Sequence, residues 1–232
     1  MSVQDRRRIL GPAEAKPLSF AKITEETQDQ TSNTKDKDSL FISTDLITNA
    51  NGSSYLEYID KSSYQVLVMG SVFGPRPLRG SFQSSASLSI QFKEVTLEHF
   101  DMGEIKEICT FLNNVFNAVV NLERYPKSGI DLFIDLVQYT QSDNTEKRSV
   151  IEILPTCINC ITLALVDAGV EVIDLVSAGC VDNSVVAFIK NGQEIVGIWS
   201  DDSNVTDISK VVEDCKAKYM ENKQTLVQYL RQ

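Results

Sequence analysis

A single histidine, His99, occurs in 232 residues. That scarcity excludes a His-rich zinc site and an H-E-x-x-H motif, and leaves one candidate base for a serine or cysteine nucleophile. His99 lies in Leu97-Glu98-His99-Phe100-Asp101 and reads as a surface or turn histidine. Basic charge is also short, with 22 Lys and Arg against 32 Asp and Glu and a formal net charge of −10. Such a balance argues against a surface that wraps nucleic acid by itself, though a local basic patch is compatible with it. Long apolar runs are missing: no stretch of about 18 uncharged apolar residues appears. Met1-Ser2-Val3-Gln4 and the following Arg6, Arg7 and Arg8 lead into no apolar segment, so the expectation is a chain neither secreted nor membrane-spanning. Five cysteines, an odd number placed in apolar segments, suit a reducing compartment, cytoplasm or nucleus.

What is present is the composition of a folded globular chain, 42% hydrophobic and 23% charged. A fold of this length buries roughly 70 to 75% of its unfolded surface, enough for a core without staples. Three regions are expected: a basic N-terminal arm over 1–21, a polar flexible insertion over 22–39, and one α/β domain over 40–232. Short runs rich in β-branched and aromatic residues at 40–47, 54–59, 64–73 and 85–92 predict four strands. They are separated by Asn51-Gly52, Asp60-Lys61 and Gly74-Pro75, and an antiparallel succession is implied.

The period then changes. Ile105, Ile108, Leu112, Val115, Val119 and Leu122 recur at helical spacing, after which Ile130, Leu132, Ile134 and Leu136 alternate as a strand. A second helix is expected up to about Asp167, with Pro155 near its start and Gly169 as its C-cap. Residues 170–177, 184–189 and 194–199 predict three more strands, with Asn191-Gly192 as a hairpin signal. A last helix carries Ile208, Val211, Val212, Cys215, Tyr219, Leu226 and Leu230. The order ββββ-α-β-α-βββ-α describes one α/β domain with a mixed sheet.

Local motifs are weak. Cys157-Ile158-Asn159-Cys160 lies in a helical pattern without a second pair at zinc spacing, and reads as two packed thiols. The run Gly70 to Arg76 lacks the ending of a P-loop. Basic residues gather at Arg6–Arg8, at Arg76 and Arg79 around Pro77, and at Arg124 and Lys127 around Pro126; each alone reads as a solvated turn. Asp131/Asp135 and Asp201-Asp202 have no partner base or metal cluster in view. Residue chemistry alone exposes no active site.

The combination is more informative than its parts. Asp5-Arg6-Arg7-Arg8 with Gly11-Pro12, the turn Phe73-Gly74-Pro75-Arg76, the segment Tyr125 to Asp131, and above all Cys157 to Gly169 with Asp174-Leu175-Val176 behind it resemble the RNase PH family. The resemblance runs from Asp5 to Trp199 and implies a single RNase PH-like domain. The arm, the Gly-Pro-Arg turn and the Arg124 to Asp131 stretch are most similar to ring subunits of the eukaryotic RNA exosome.

The resemblance also identifies departures from the active members. Their arginines at the start of the first helix have no counterpart in Phe100-Asp101-Met102-Gly103-Glu104. Their glycine-rich phosphate loop before the second helix is replaced by Thr140 to Ser149. Their metal-holding acids are expected on the strand Val185 to Gly192, where Phe188 and Lys190 stand instead. The resemblance therefore implies a subunit with no catalytic residues, no metal and no cofactor.

Its implied partners are other RNase PH-like ring subunits, paired as a heterodimer within a hetero-hexameric ring. S1/KH-type cap subunits, associated nucleases and single-stranded RNA passing through a central channel complete the set, with no membrane. Arg76 and Arg79 are the candidate RNA-path residues, because the turn after the third strand faces the pore in related subunits. RNA processing and decay in nucleus, nucleolus and cytoplasm is the implied setting. An active phosphate-dependent 3′ to 5′ exoribonuclease is the rival expectation.

Overall fold

The computed structural model describes residues 39–60, 64–95, 100–140, 150–181, 183–201 and 208–231. The element order is the expected one. Strands β1 (Ser39–Thr44), β2 (Gly52–Ile59), β3 (Gln65–Pro77) and β4 (Ser87–Glu94) precede helix α1 (Met102–Val119), strand β5 (Ser128–Thr140) and helix α2 (Val150–Asp167). Strands β6 (Ser177–Val181), β7 (Ser184–Ile189) and β8 (Glu194–Ser200) and helix α3 (Ile208–Leu230) follow. The basic arm and residues 22–38 of the polar stretch lie outside the described residues, while Ser39 already belongs to β1.

The eight strands divide between two sheets. One is five-stranded and mixed, in the order β1-β2-β3-β5-β4; the other is three-stranded and antiparallel, β6-β7-β8. The expected antiparallel succession therefore holds for β1 to β3 only. β4 does not pair with β3 but runs parallel to β5, with Ser87 opposite Gly129 and Glu94 opposite Leu136. The reason is the crossover: α1 packs on β4 and carries the chain back so that β5 enters between β3 and β4.

A second correction concerns β6. Residues 170–176 are not a strand; an isolated bridge joins Val172 to Val120, and the strand begins at Ser177. Its sequence, Ser-Ala-Gly-Cys-Val, is chosen for closeness rather than β-propensity, since a Cβ on Gly179 would stand 1.9 Å from the Cys215 carbonyl oxygen in α3. The Asn191-Gly192 hairpin is present, but as a 3-10 turn over Lys190–Gly192 with Lys190 and Asn191 at φ 52° and 57°.

Helix α2 lies between the sheets, packed on β2 and β3 on one side and β6 and β7 on the other. It is long and apolar enough to cross a membrane by composition, and here that composition serves the core: Leu154, Cys157, Ile158, Ile161, Leu163 and Leu165 are fully buried. β5 contributes Ile130, Leu132 and Ile134 from its buried face, and α1 contributes Ile108, Leu112, Val115 and Phe116. Helix α3 covers the far face of the small sheet, where Val186 and Phe188 meet Cys215 and Tyr219.

Candidate functional site

The start of α1 is closed to anions by its own acids. Asp101 Oδ1 accepts from the Glu104 amide at 2.8 Å, and Glu104 Oε2 accepts from the Asp101 amide at 3.0 Å. This capping box occupies the Asp101 and Glu104 amides and sets two carboxylates at the helix start. The stretch expected to replace the phosphate loop lies, apart from Thr140, outside the described residues, as does His99.

Phe188 and Lys190 differ from expectation in what they signify. Phe188 is 1% exposed, with its ring 5.3 Å from that of Tyr219, so the position points into the core beneath α3 and not toward a groove. Its identity reports packing, and says nothing about a metal. Lys190 is exposed, and its Nζ donates to Glu194 Oε1 at 2.7 Å.

The carboxylate nearest this turn is Asp174, passed over as a candidate from sequence. Its Oδ2 accepts from Lys223 Nζ at 2.8 Å and from the Lys190 amide at 2.6 Å, and its Oδ1 from the Leu175 amide at 2.8 Å. Partial burial opposes its charge, but these bonds and the Lys223 ammonium outweigh that cost and hold the carboxyl below its ordinary value. Asp174 is committed to joining α3 to the β7–β8 turn.

The other acids are similarly placed. Asp167 Oδ2 accepts from the Ser53 amide at 2.8 Å, and Asp131 pairs with Arg76. Asp135 is pushed up by burial, against the pull of Lys93. Among the described residues, no three His, Cys, Asp or Glu side chains gather closely enough to hold a metal.

Arg76 and Arg79 both lie on the exposed stretch that ends β3 and follows it. The irregular register between Phe73 and Arg76 places Arg76 beside Gly129, two residues from Asp131 on β5, and its guanidinium is taken by that carboxylate. Arg79 has no ion-pair partner among the described residues. The structure thus separates two residues that sequence grouped together. Arg124 is likewise paired, with Glu171 at 3.4 Å.

The Cys-x-x-Cys is a packing feature, as expected. Both thiols are fully buried, and Cys160 Sγ lies 3.0 Å from Ser54 Oγ. Burial pushes Cys157 well above the usual thiol range and Cys160 up to about 12, so neither supplies a thiolate at neutral pH.

The residue between them matters more. Asn159 lines a cavity of about 210 Å³ that opens beside the N-terminal half of α2. Its described walls come from β1, β2, Asp60 and Tyr64 between β2 and β3, α2, β6 and α3, and among the described lining residues three carboxylates, Asp60, Glu152 and Glu221, stand against one ammonium, Lys218. Glu152 receives a hydrogen bond from the Tyr139 hydroxyl. Its carboxyl is pushed up by burial and then by the charge of Asp60. Tyr64 is pushed up by burial, with Tyr58 and Asp60 adding to it. Among the described lining residues this balance favours cations over anions. Sequence reading missed the cavity because its residues are scattered over five elements and the β2–β3 connection; the one local signal was a polar Asn159 in the apolar middle of α2.

A mixed five-stranded sheet and a small antiparallel sheet enclosing a buried helix define the architecture of an RNase PH domain. The model of the 3′ exoribonuclease family, domain 1, matches residues 38–171, and the chain belongs to that family. Exosome complex component mtr3 of Schizosaccharomyces pombe is 29% identical over 189 residues, covering 77% of this chain and 67% of that protein. Exosome complex component RRP41 of Homo sapiens is 29% identical over 169 residues, covering 66% of this chain and 62% of that protein. The match therefore spans less than two thirds of the RRP41 length. The crystal structure of rice (Oryza sativa) Rrp46 shares the fold, with a TM-score of 0.61 and 16% identity over 83% of this chain and 92% of that one.

Proposed function

We propose that this chain is a non-catalytic structural subunit of an exosome-type ring, supporting 3′ to 5′ RNA processing and degradation by scaffolding and RNA threading. The observation that carries the reading is the likeness to an exosome component across 77% of the chain. Its partners in this reading are other RNase PH-like subunits, S1/KH-type cap subunits, associated nucleases and single-stranded RNA. The processes are rRNA processing, mRNA decay and RNA surveillance, in nucleus, nucleolus and cytoplasm. Exposed apolar side chains such as Phe41, Val95, Ile195 and Ile198 stand on or beside the outer strands β1, β4 and β8, where a neighbouring subunit would cover them. In this reading Arg79 guides RNA, with Arg76 held by Asp131.

Native mass spectrometry of a pull-down from cells tests membership and stoichiometry together. Recovery of one copy with five further RNase PH-like subunits and the cap proteins supports the reading, and recovery without any of them refutes it. The competing reading, an active phosphorolytic exoribonuclease, draws on the family's own activity.

A further inference from the structure

The acidic cavity beside α2 has chemistry that neither packing nor a structural role in a ring uses. Its most buried members are Asn159 and Thr156, 3% and 4% exposed. Asn159 Oδ1 accepts from Ser177 Oγ at 2.7 Å, while its amide nitrogen donates to no described residue. That nitrogen is not among the buried polar atoms left without a partner, so it is open to whatever fills the cavity. The amide is also adaptable. Turning it over keeps the bond to Ser177, because a hydroxyl accepts as well as donates, and directs Oδ1 to a cationic donor.

The rest of the lining agrees in kind. The rings of Tyr58 and Tyr64 lie 5.7 Å apart, tilted at 49°, and present aromatic surface next to Asp60. Glu152 and Glu221 add negative charge from α2 and α3. Burial first, and then the neighbouring Asp60, push the Glu152 carboxyl up. Aromatic faces together with carboxylates recognise cations, and a planar guanidinium exploits both by stacking and by forked hydrogen bonds. At about 210 Å³ the cavity is smaller than the roughly 300–1,000 Å³ pockets that enclose drug-sized ligands, a size for one long side chain.

We propose that this cavity docks an arginine side chain presented by an extended segment of a partner protein, with the guanidinium against Tyr58 and Tyr64 and its donors on Glu152, Glu221 and Asn159. The proposal does not depend on ring membership.

The test is a titration of the 15N-labelled full chain, co-purified with a ring partner where solubility requires it. Three probes are used separately: Nα-acetyl-arginine N-methylamide, its neutral citrulline analogue, and uridine 5′-monophosphate. The arginine probe is expected to shift the Asn159 side-chain amide and the backbone amides of Asn222 and Thr225. Its affinity should exceed that of the citrulline probe by about tenfold or more, and joint Glu152→Gln and Glu221→Gln substitution should remove about that factor while leaving distant resonances unchanged. Equal binding of the citrulline probe, tighter binding of the nucleotide, or no shift with about 20 mM arginine probe in a folded sample, well past a millimolar Kd, overturns the proposal. Failure here with recovery of the chain in a ring complex would leave the structural role standing.

Discussion

At its C-terminal end α2 is sealed: Ile161, Leu163, Ala164 and Leu165 are fully buried, and a Cβ on Gly52 would stand 2.2 Å from the Ala168 nitrogen. At its N-terminal end the same helix turns Glu152, Pro155, Thr156 and Asn159 toward a cavity ringed by carboxylates. One end is fixed by shape and the other by charge. The sealed end has no room for added atoms where Gly52 meets α2, whereas the open end borders a cavity. The architecture and the charge of a site built on it are thus set by different residues.

The largest effect is expected where the two backbones meet. Gly52→Ala forces its methyl against Ala168 N and Ala164 O, backbone atoms that cannot rotate away, and should cost about 3 kcal/mol or more. Thermal unfolding of the variant beside the parent would show it, and a shift under a few degrees would mean that the helix end is looser than described. Next comes Asp174→Asn, which removes the charge facing Lys223 at a partly buried site and should cost about 1–3 kcal/mol at pH 7. The folded carboxyl lies below its ordinary value, so its contribution is present above the unfolded value and is lost as pH falls through the folded one. The deficit of the variant should accordingly fade in acid, and a deficit independent of pH would assign it to packing instead.

Ser54→Ala, at the sealed end, deletes a hydroxyl that donates to the Cys160 carbonyl at 2.6 Å and should cost about 1 kcal/mol by denaturant unfolding. At the open end the sign reverses. Glu152 has its folded value raised, so ionisation costs stability as pH rises through the ordinary glutamate range. Glu152→Gln keeps an acceptor for Tyr139 and should stabilise the protein by up to about 1 kcal/mol at neutral pH, with the two curves converging below about pH 4. Loss of stability at neutral pH would show that the carboxylate is paired more strongly than its lining suggests. The smallest effect is Arg79→Glu, expected to weaken RNA binding of an assembled ring by less than about tenfold, more at low salt than at high. Arg76→Glu acts as a contrast, since it leaves Asp131 without its partner and should lower stability by up to about 1 kcal/mol as well.

The element order was legible because hydrophobic period changes sharply between β5, α2 and the later strands. The sheet partner of β4 was not, since nothing local to residues 87–94 says that a strand still to come will lie beside them. β6 was displaced by several residues because Gly179 and its small neighbours answer to Cys215 of α3, 36 positions further along the chain. The Cys-x-x-Cys was readable as packing from its helical setting. Phe188 was misread: its neighbours in sequence give no hint that its side chain is beneath α3, and only the pairing of Val186 and Phe188 with Cys215 and Tyr219 reveals the face. The same holds for Arg76, whose partner Asp131 comes from β5.

In the proposed reading this chain does not carry out phosphorolysis. That claim is tested most directly by incubating the purified chain with its ring partner, inorganic phosphate, Mg²⁺ and a 3′-tailed RNA, and following release of nucleoside diphosphates. No phosphate-dependent shortening should be traceable to this chain, so that Asp174→Asn and Glu152→Gln leave any background from the partner unchanged. Phosphate-dependent shortening that disappears in either variant, in a complex shown to be folded and intact, would contradict the account.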